Sequence, residues 1–322
     1  MDRCRARARS CPPGGGGPLP LNIVVVAGGT GGAMLAAGIR SQFPDDRLTV
    51  IANIADDDEF WGLTVCPDID SVVYRLAGVF NESAGYGVRG DTFAVLDALA
   101  RVGGESWFRI GDRDFATHLL RAELLRKGLN LTQASLELCR RFGVAARVLP
   151  VTDDRVRTRF ATDQGELSFQ EYFVREHLAP RLTGISFRGI ETARPTPEVL
   201  DALASADRVL IGPSNPLISV APILRIAGAH VPRERTAAVS PIVGGIALKG
   251  PTVQMMTAMG HPATPREVAK MYVNVASRFV LDVRDAEQAG EIREKLGYEV
   301  LVCDTVMRDG GAGLAAAILG SV

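Results

Sequence analysis

The run Ile23-Val-Val-Val-Ala27 breaking into Gly28-Gly-Thr-Gly-Gly32 constrains this chain more than any other stretch. An unbroken apolar segment of this length, ended by glycines, reads as a parallel strand buried on both faces of an α/β sheet. A helix is predicted to follow from about Ala33 to Ser41. Backbone N–H groups in such a loop approach a phosphate closely, and the helix N-terminus adds partial positive charge. A second apolar strand, Leu48–Ala52, ends in Asn53-Ile-Ala-Asp-Asp-Asp-Glu59, a knot of four carboxylates. In open α/β sheets, strand ends of this kind face the ligand crevice. A phosphate cradle beside an acidic cluster implies an enzyme that handles a phosphorylated substrate with a divalent metal.

The bulk properties exclude several other classes. The 36 basic and 37 acidic residues nearly cancel, so no global field favours nucleic acid or an anionic membrane surface. No run approaches the roughly 18–20 apolar residues that a membrane span needs. The five cysteines, Cys4, Cys11, Cys66, Cys139 and Cys303, are scattered and form no CxxC pair. Neither a disulfide framework nor a zinc site is indicated, and a cytoplasmic location is expected. Residues 1–20 are arginine-rich and then proline- and glycine-rich, without the apolar segment of a secretory signal, and are expected to be a disordered tail.

Strands and helices alternate through most of the remainder. Strands are predicted at Ile23–Ala27, Leu48–Ala52, Arg147–Pro150, Arg208–Ile211, Ala237–Val239, Arg278–Leu281 and Glu299–Val302. The fold class is therefore α/β: a Rossmann-like, mostly parallel sheet with helices on both faces, linked by right-handed crossovers. Helices are expected at Ser71–Gly78, at Thr92–Arg101 with Phe93, Leu96, Leu99 and Ala100 on one face, and at Asp114–Lys127. The last carries a stripe of Phe115, Leu119, Leu120 and Leu124. A further helix is expected from Leu131-Thr132. From residue 151 to 204 the pattern turns β-rich, with hairpin chemistry at Thr162-Asp-Gln-Gly165. This interval reads as a small insertion lobe in a nucleotide-binding core of residues 21–150 and 205–322.

The glycine loop matches neither GxGxxG nor GxxxxGK[ST], and a tight strand-to-helix turn would also use its glycines. Asp56, Asp57, Asp58 and Glu59 repel one another unless a cation or hydrogen-bond donors neutralise them. Magnesium takes such oxygens readily together with substrate phosphates. Asp68 and Asp70 follow in Cys66-Pro-Asp-Ile-Asp70, read as a turn. Asp91, Asp112 and Asp114 suit helix N-caps, and His118 fits a structural role as well as a functional one. Gly212-Pro-Ser-Asn-Pro216 and Ser240-Pro-Ile-Val-Gly-Gly245 offer Ser214, Asn215 and Ser240 for base, ribose or phosphate contacts, or serve as plain turns. Lys249 is a weaker candidate for phosphate charge.

Ala27-Gly-Gly-Thr-Gly-Gly32, the acidic segment Asn53–Gly62, Pro67-Asp-Ile-Asp70, Arg89-Gly-Asp-Thr-Phe93, Gly111-Asp-Arg-Asp114 with Ala116-Thr-His118, Thr152-Asp-Asp-Arg-Val156, Gly212-Pro-Ser-Asn-Pro216 and Ser240-Pro-Ile-Val-Gly244 occur in this order. In that order and spacing the chain, from about Asn22 onward, resembles the 2-phospho-L-lactate transferases of coenzyme F420 biosynthesis. The resemblance implies a magnesium-dependent transfer of a phospho-acid, 2-phospholactate or phosphoenolpyruvate, from a guanosine diphosphate ester donor. The acceptor it implies is the terminal ribityl hydroxyl of 8-hydroxy-5-deazariboflavin (Fo), with release of GMP. It assigns Asp70 and Arg109 to the deazaflavin, with Trp61 and Arg89 beside them. Gly28, Gly29, Thr30, Gly31, Ser214, Asn215 and Ser240 would hold the guanosine diphosphate. Asp57 and Asp70 would be metal ligands, and Asp57, Asp58 and Asp70 the catalytic carboxylates. A homodimer is expected by the same analogy. The competing readings are a non-catalytic nucleotide-sugar-binding regulatory protein of the same fold and, more distantly, a Rossmann dehydrogenase, which the absence of GxGxxG argues against.

Overall fold

The structure, a computed structural model, describes residues 19–247 and 250–320. Lys249 and residues 1–18 of the expected tail lie outside the described residues. The chain opens with β1 (Asn22–Ala27), α1 (Gly29–Gln42) and β2 (Arg47–Ala52). A hairpin follows, β3 (Asp58–Phe60) and β4 (Leu63–Val65), and then α2 (Pro67–Leu76), α3 (Ala94–Arg101), α4 (Asp112–Arg126), α5 (Leu131–Arg141) and β5 (Arg147–Pro150). β6 (Arg157–Thr162), β7 (Gly165–Ser168) and β8 (Leu182–Arg188) form a separate antiparallel sheet. After α6 (Pro197–Ala204) come β9 (Arg208–Ile211), β10 (Thr236–Val239), the short hairpin β11 (Ile242–Val243) and β12 (Ile246–Ala247), then β13 (Arg278–Asp282) and β14 (Glu299–Cys303).

Seven strands make one parallel sheet in the order β14-β13-β10-β9-β1-β2-β5, with helices packed against it. These are the seven strands read from the sequence, each within two residues. β1 lies between β2 and β9, and Ile23–Ala27 is buried throughout. From β1 the chain winds outward to β2 and β5, then returns to β9 and winds the other way. The reversal opens a crevice at the carboxyl ends of β1 and β9, where such folds take ligands.

The glycine loop is shaped by the contacts at this crevice. A Cβ on Gly31 would sit 2.3 Å from the carbonyl oxygen of Pro213, and one on Gly28 would sit 2.3 Å from Cβ of Ser219. The loop after β1 and the loop after β9 therefore touch backbone to backbone. This close approach also moves the helix: α1 begins at Gly29 rather than at Ala33, so the glycines form its first turn.

Four other expectations are corrected. The segment Pro67–Asp70 is not a turn before a helix from Ser71 but the first turn of α2, with proline at a position that needs no N–H. α5 is capped by Asn130, whose side chain accepts from Gln133 N in a reciprocal capping box, not by Leu131-Thr132. The stripe on α4 is only partly inward: Leu124 is buried, Phe115 and Leu120 are half-buried and Leu119 is 49% exposed, while Asp114, Thr117, His118, Arg121 and Ala122 are buried. Likewise α3 buries Leu96 but not Leu99 or Ala100. Buried charge on α4 has partners on α2, which an apolar-stripe argument does not see.

The β6–β8 sheet carries its own apolar cluster of Phe160, Tyr172, Leu182, Ile218 and Met255. β7 leads into a single π-helical turn, Glu171–Arg175.

Replacing Gly31 with alanine forces backbone against backbone, so Gly31→Ala is expected to lose about 1–3 kcal/mol of stability. Urea unfolding of the two proteins checks this; an unchanged midpoint would show that the loops need not touch.

Candidate active site

The crevice at the β1/β9 reversal is a cavity of about 370 Å³. Gly28–Gly31 forms one wall and Pro213–Asn215 another, with Phe169, Phe173, Thr252 and Met307 around the remainder. The N-cap of α1, Gly28, has no side chain to satisfy the first turn. The Gly29 N–H serves the Asp68 carboxylate, and the N-terminus of a helix is a place that favours an anion. Thr30, Ser214 and Asn215 line the same cavity. Ser240 does not: its hydroxyl is fully buried and accepts from Ile242 N and donates to Ile242 O inside its own turn.

Two carboxylates close the floor. Asp56, at the end of β2, and Asp68, on the first turn of α2, both line the cavity and are buried. Asn53 Nδ2 donates to Asp56 Oδ2 at 3.0 Å and to Asp68 Oδ2 at 2.8 Å, bridging them. Thr158 Oγ1 donates to Asp56 Oδ1 at 2.7 Å. Burial, and then the Asp68 charge, push the Asp56 carboxyl well above its usual range, and burial pushes Asp68 up to about 6. Neighbouring Asp57 points elsewhere, toward Cys66; burial pushes it up to about 8, and its Oδ1 is buried without a hydrogen-bond partner.

A second cavity, about 500 Å³, adjoins the other side of α2. Trp107, Phe108, Tyr74, Tyr86 and Val65 give it flat apolar walls, with Arg109 and Arg175 also lining it. Its polar floor contains Asp70, Asp114 and His118. Asp70 forms a bidentate pair with Arg121, which is fully buried; one arm is short, and the other, Nη1 to Oδ2, is 3.2 Å. Arg121 Nη1 also lies 3.1 Å from His118 Nδ1, which must accept, and His118 Nε2 lies 3.2 Å from Asp114 Oδ1. Tyr74 donates to the same oxygen at 2.7 Å. Although burial opposes it, the His118 and Tyr74 contacts hold the Asp114 carboxyl below its ordinary value. The Arg121 guanidinium is raised by Asp70 against the opposing effect of burial.

The geometry thus separates residues that lie side by side in sequence. Asp57 and Asp70 line different surroundings, one against Cys66 and the other against Arg121. Asp58 turns outward with Glu59 into an acidic groove beside Phe60 and Trp61. Trp61 Nε1 donates to Glu105 O, and the ring is in that groove rather than in the aromatic cavity; Trp107 and Phe108 line the cavity instead. Arg109 stacks on Phe93 at 4.3 Å at the cavity edge, while Arg89 donates to Gly78 O on the surface. Asp91 and Asp112 are reciprocal helix caps: Asp91 accepts from Arg113 N and Asp114 N, and Asp112 from Ala94 N and Val95 N.

Asp56 and Asp68 were named from the sequence as members of the carboxylate clusters, but Arg121, Thr158 and Gln170 were given no role. Thr158 and Gln170 carried no signal, because they reach the site from β6 and from the turn after β7.

The fold and site together define a doubly wound α/β protein with a glycine-lined cleft at its topological reversal and an aromatic cavity beside it. The family model for the 2-phospho-L-lactate transferase CofD matches residues 23–307, and the chain belongs to that family of transferases. A 2-phospho-L-lactate transferase of Methanococcoides burtonii is 38% identical over 288 residues, covering 89% of this chain and 94% of the relative. One from Methanopyrus kandleri is 40% identical over 295 residues, covering 90% and 93%. A phosphoenolpyruvate transferase of Kitasatospora aureofaciens is 42% identical over 303 residues, covering 90% and 93%. Among solved structures, a UPF0052-family protein of Bacillus halodurans superposes with a TM-score of 0.58 at 17% identity, covering 94% of this chain and all of that one, and shares the fold. No helix among the described residues is long and apolar enough to cross a membrane.

Removing Asp70 would leave the buried Arg121 cation without its counter-ion. Asp70→Ala is expected to cost about 3–5 kcal/mol of stability besides any effect on turnover, which denaturant unfolding measures. A second outcome follows from the raised carboxyls. Between about pH 4 and about pH 8 the folded state binds more protons at Asp57 and Asp68 than the unfolded chain does, so stability falls as pH rises through that window. Melting temperatures of metal-free protein across this range should decline, and Asp57→Asn should flatten the upper half; a parallel decline in the variant would remove Asp57 as the cause.

Proposed function

We propose that this transferase moves a phospho-acid, 2-phospholactate or phosphoenolpyruvate, from a guanosine diphosphate ester to the terminal ribityl hydroxyl of Fo in coenzyme F420 biosynthesis. The observation that carries the proposal is the shared first turn of α2. It presents Asp68 to the cleft at the α1 N-terminus and Asp70 to the aromatic cavity, so a phosphate ester and a planar ring system would meet across it. The guanosine diphosphate part lies along Gly28–Gly31 and Ser214–Asn215, with its pyrophosphate at the α1 N-terminus. The deazaflavin lies between Trp107, Phe108 and Tyr74, with Arg109 at its edge.

Magnesium fits the residues present. Among the described residues no three acid, imidazole or thiol groups converge as a complete protein cage. Asp56 and Asp68 do converge, and magnesium characteristically takes one or two carboxylates and completes its shell with water and substrate phosphates. Asp56 and Asp68 are therefore the residues that would hold it, in place of Asp57 and Asp70: Asp70 is already neutralised by Arg121. Bound there, the ion would neutralise phosphate charge and acidify the attacking hydroxyl.

The chain's own part is positioning, which dominates phosphoryl transfer. The α1 N-terminus orients the pyrophosphate, and Asn53 and Thr158 hold the Asp56 and Asp68 carboxylates in place. The aromatic walls fix the acceptor so that its hydroxyl oxygen bonds to the phosphorus bearing the acid. The bond from that phosphorus to the bridging oxygen breaks, GMP departs with the electron pair, and the hydroxyl proton passes to a junction carboxylate.

Mass spectrometry of the product from lactyl and enolpyruvyl donors tests the proposal and identifies the acid. Asp68→Asn is expected to lower kcat by about 10²–10³-fold, the size associated with loss of one positioned electrostatic contact in a transition state. No product from either donor, with tight binding of a UDP-sugar, would favour the regulatory reading.

A further inference from the structure

The two cavities share more than the turn of α2. The segment Phe169–His177, between β7 and β8, contributes residues to both and forms a wall they share. Phe169 and Phe173 line the nucleotide cleft, their rings stacked at 4.2 Å and 11°. Gln170, Val174, Arg175 and His177 line the aromatic cavity on the opposite side. The alternation has a four-residue step: Phe169 and Phe173 line one cavity, and Gln170 and Val174 line the other, across a helical stretch whose residues 171–175 are π-helical. Tyr172 pins the base of the wall in the small apolar cluster, and its hydroxyl donates to Pro180 O. Beyond the turn, His177 and Leu178 hold φ of 48° and 61°, a left-handed pair that L-residues adopt only under constraint.

One polar side chain ties this wall to the reacting centre. Gln170 is 4% exposed, and its Nε2 donates to the backbone carbonyl of Asp56 at 3.3 Å. Thr158 braces the same loop twice, through its hydroxyl to Asp56 Oδ1 and through its N–H to Ala55 O at 2.7 Å. Whatever sets the position of residues 170–174 therefore also sets the peptide that carries Asp56.

We infer that Phe169–His177 couples the occupancy of the two cavities, and that Gln170 is the positioning residue that carries the coupling to Asp56. A planar ligand against Val174 and Gln170 fixes the wall whose reverse face, Phe169 and Phe173, borders the nucleotide. The ligand that enters second meets a surface already ordered, so each tightens the other by the same factor. The inference rests on the proposed ligands only for the choice of probes.

The experiment measures Fo affinity with and without saturating GDP, and acrylamide quenching of Trp107 in a Trp61→Phe background as GDP is added. In the wild type, GDP is expected to tighten Fo at least about 5-fold, and in Gln170→Met, which keeps the length but loses the donor, the factor should fall to within about two-fold of unity at unchanged GDP affinity. Fo affinity that ignores GDP in the wild type overturns the coupling, and full coupling in a folded Gln170→Met overturns the role of Gln170. If Fo does not bind at all while GDP still protects Trp107, the proposed acceptor fails and the wall stands; if GDP leaves Trp107 unaffected as well, the wall fails.

Discussion

The architecture depends on negative charge buried where the protein supplies too few donors for it. Asp56, Asp57 and Asp68 are each nearly inaccessible to water at the carboxyl end of β2 and the start of α2. A single carboxamide, Asn53, serves two of them, Thr158 adds one hydroxyl, the Gly29 N–H serves Asp68 and the Cys66 thiol serves Asp57, and no cation is paired with any of the three among the described residues. Taking ionised carboxylates out of water is costly unless they are paired, so such a cluster raises its own proton affinity in the absence of a cation. The rest of the fold is arranged around that deficit. The two loops at the β1/β9 reversal press together to form a cleft beside it, and the α1 N-terminus faces the same space.

Asp70 is the contrast that makes the deficit informative. It is as buried as Asp56, yet its charge is met by the fully buried Arg121, which is positioned in turn by His118, Asp114 and Tyr74. One carboxylate is compensated by the chain and the other is not. A buried ion pair of this sort contributes geometry more than net stability: it makes a rigid, locally neutral floor under an apolar cavity. The uncompensated pair is where a ligand's cation or phosphate would have the largest effect.

What could be read in the sequence follows from the range of the interactions involved. All seven parallel strands were legible because a strand buried on both faces is a continuous apolar run and needs no knowledge of its partners. The glycine loop was legible as a strand-to-helix junction, and the structure adds why glycine is needed there: Gly28 and Gly31 are held against Ser219 and Pro213. The inward face of α4 was not legible. Its buried residues include Asp114, His118 and Arg121, and the partner of Arg121 lies 51 positions away on α2. Thr158, 102 positions from Asp56, was invisible for the same reason. Stripe arguments assume that the apolar side faces in, and they fail wherever a charged side is satisfied by tertiary contacts.

Where α2 starts decides which aspartates can share a site. Read as a turn, Pro67-Asp-Ile-Asp70 leaves the relative directions of Asp68 and Asp70 open. As the first turn of α2, it places them two residues apart on a helix, about 200° around its axis. They cannot then chelate a common cation, and each faces a different cavity. The proline at the start of α2 is what fixes this, since it suits the helix's first position and begins the helix at residue 67, four residues earlier than a helix from Ser71 would. Two aspartates separated by a single residue in sequence therefore mark the site's division: Asp68 faces the cleft at the β1/β9 reversal, and Asp70, locked to Arg121, forms the floor of the aromatic cavity.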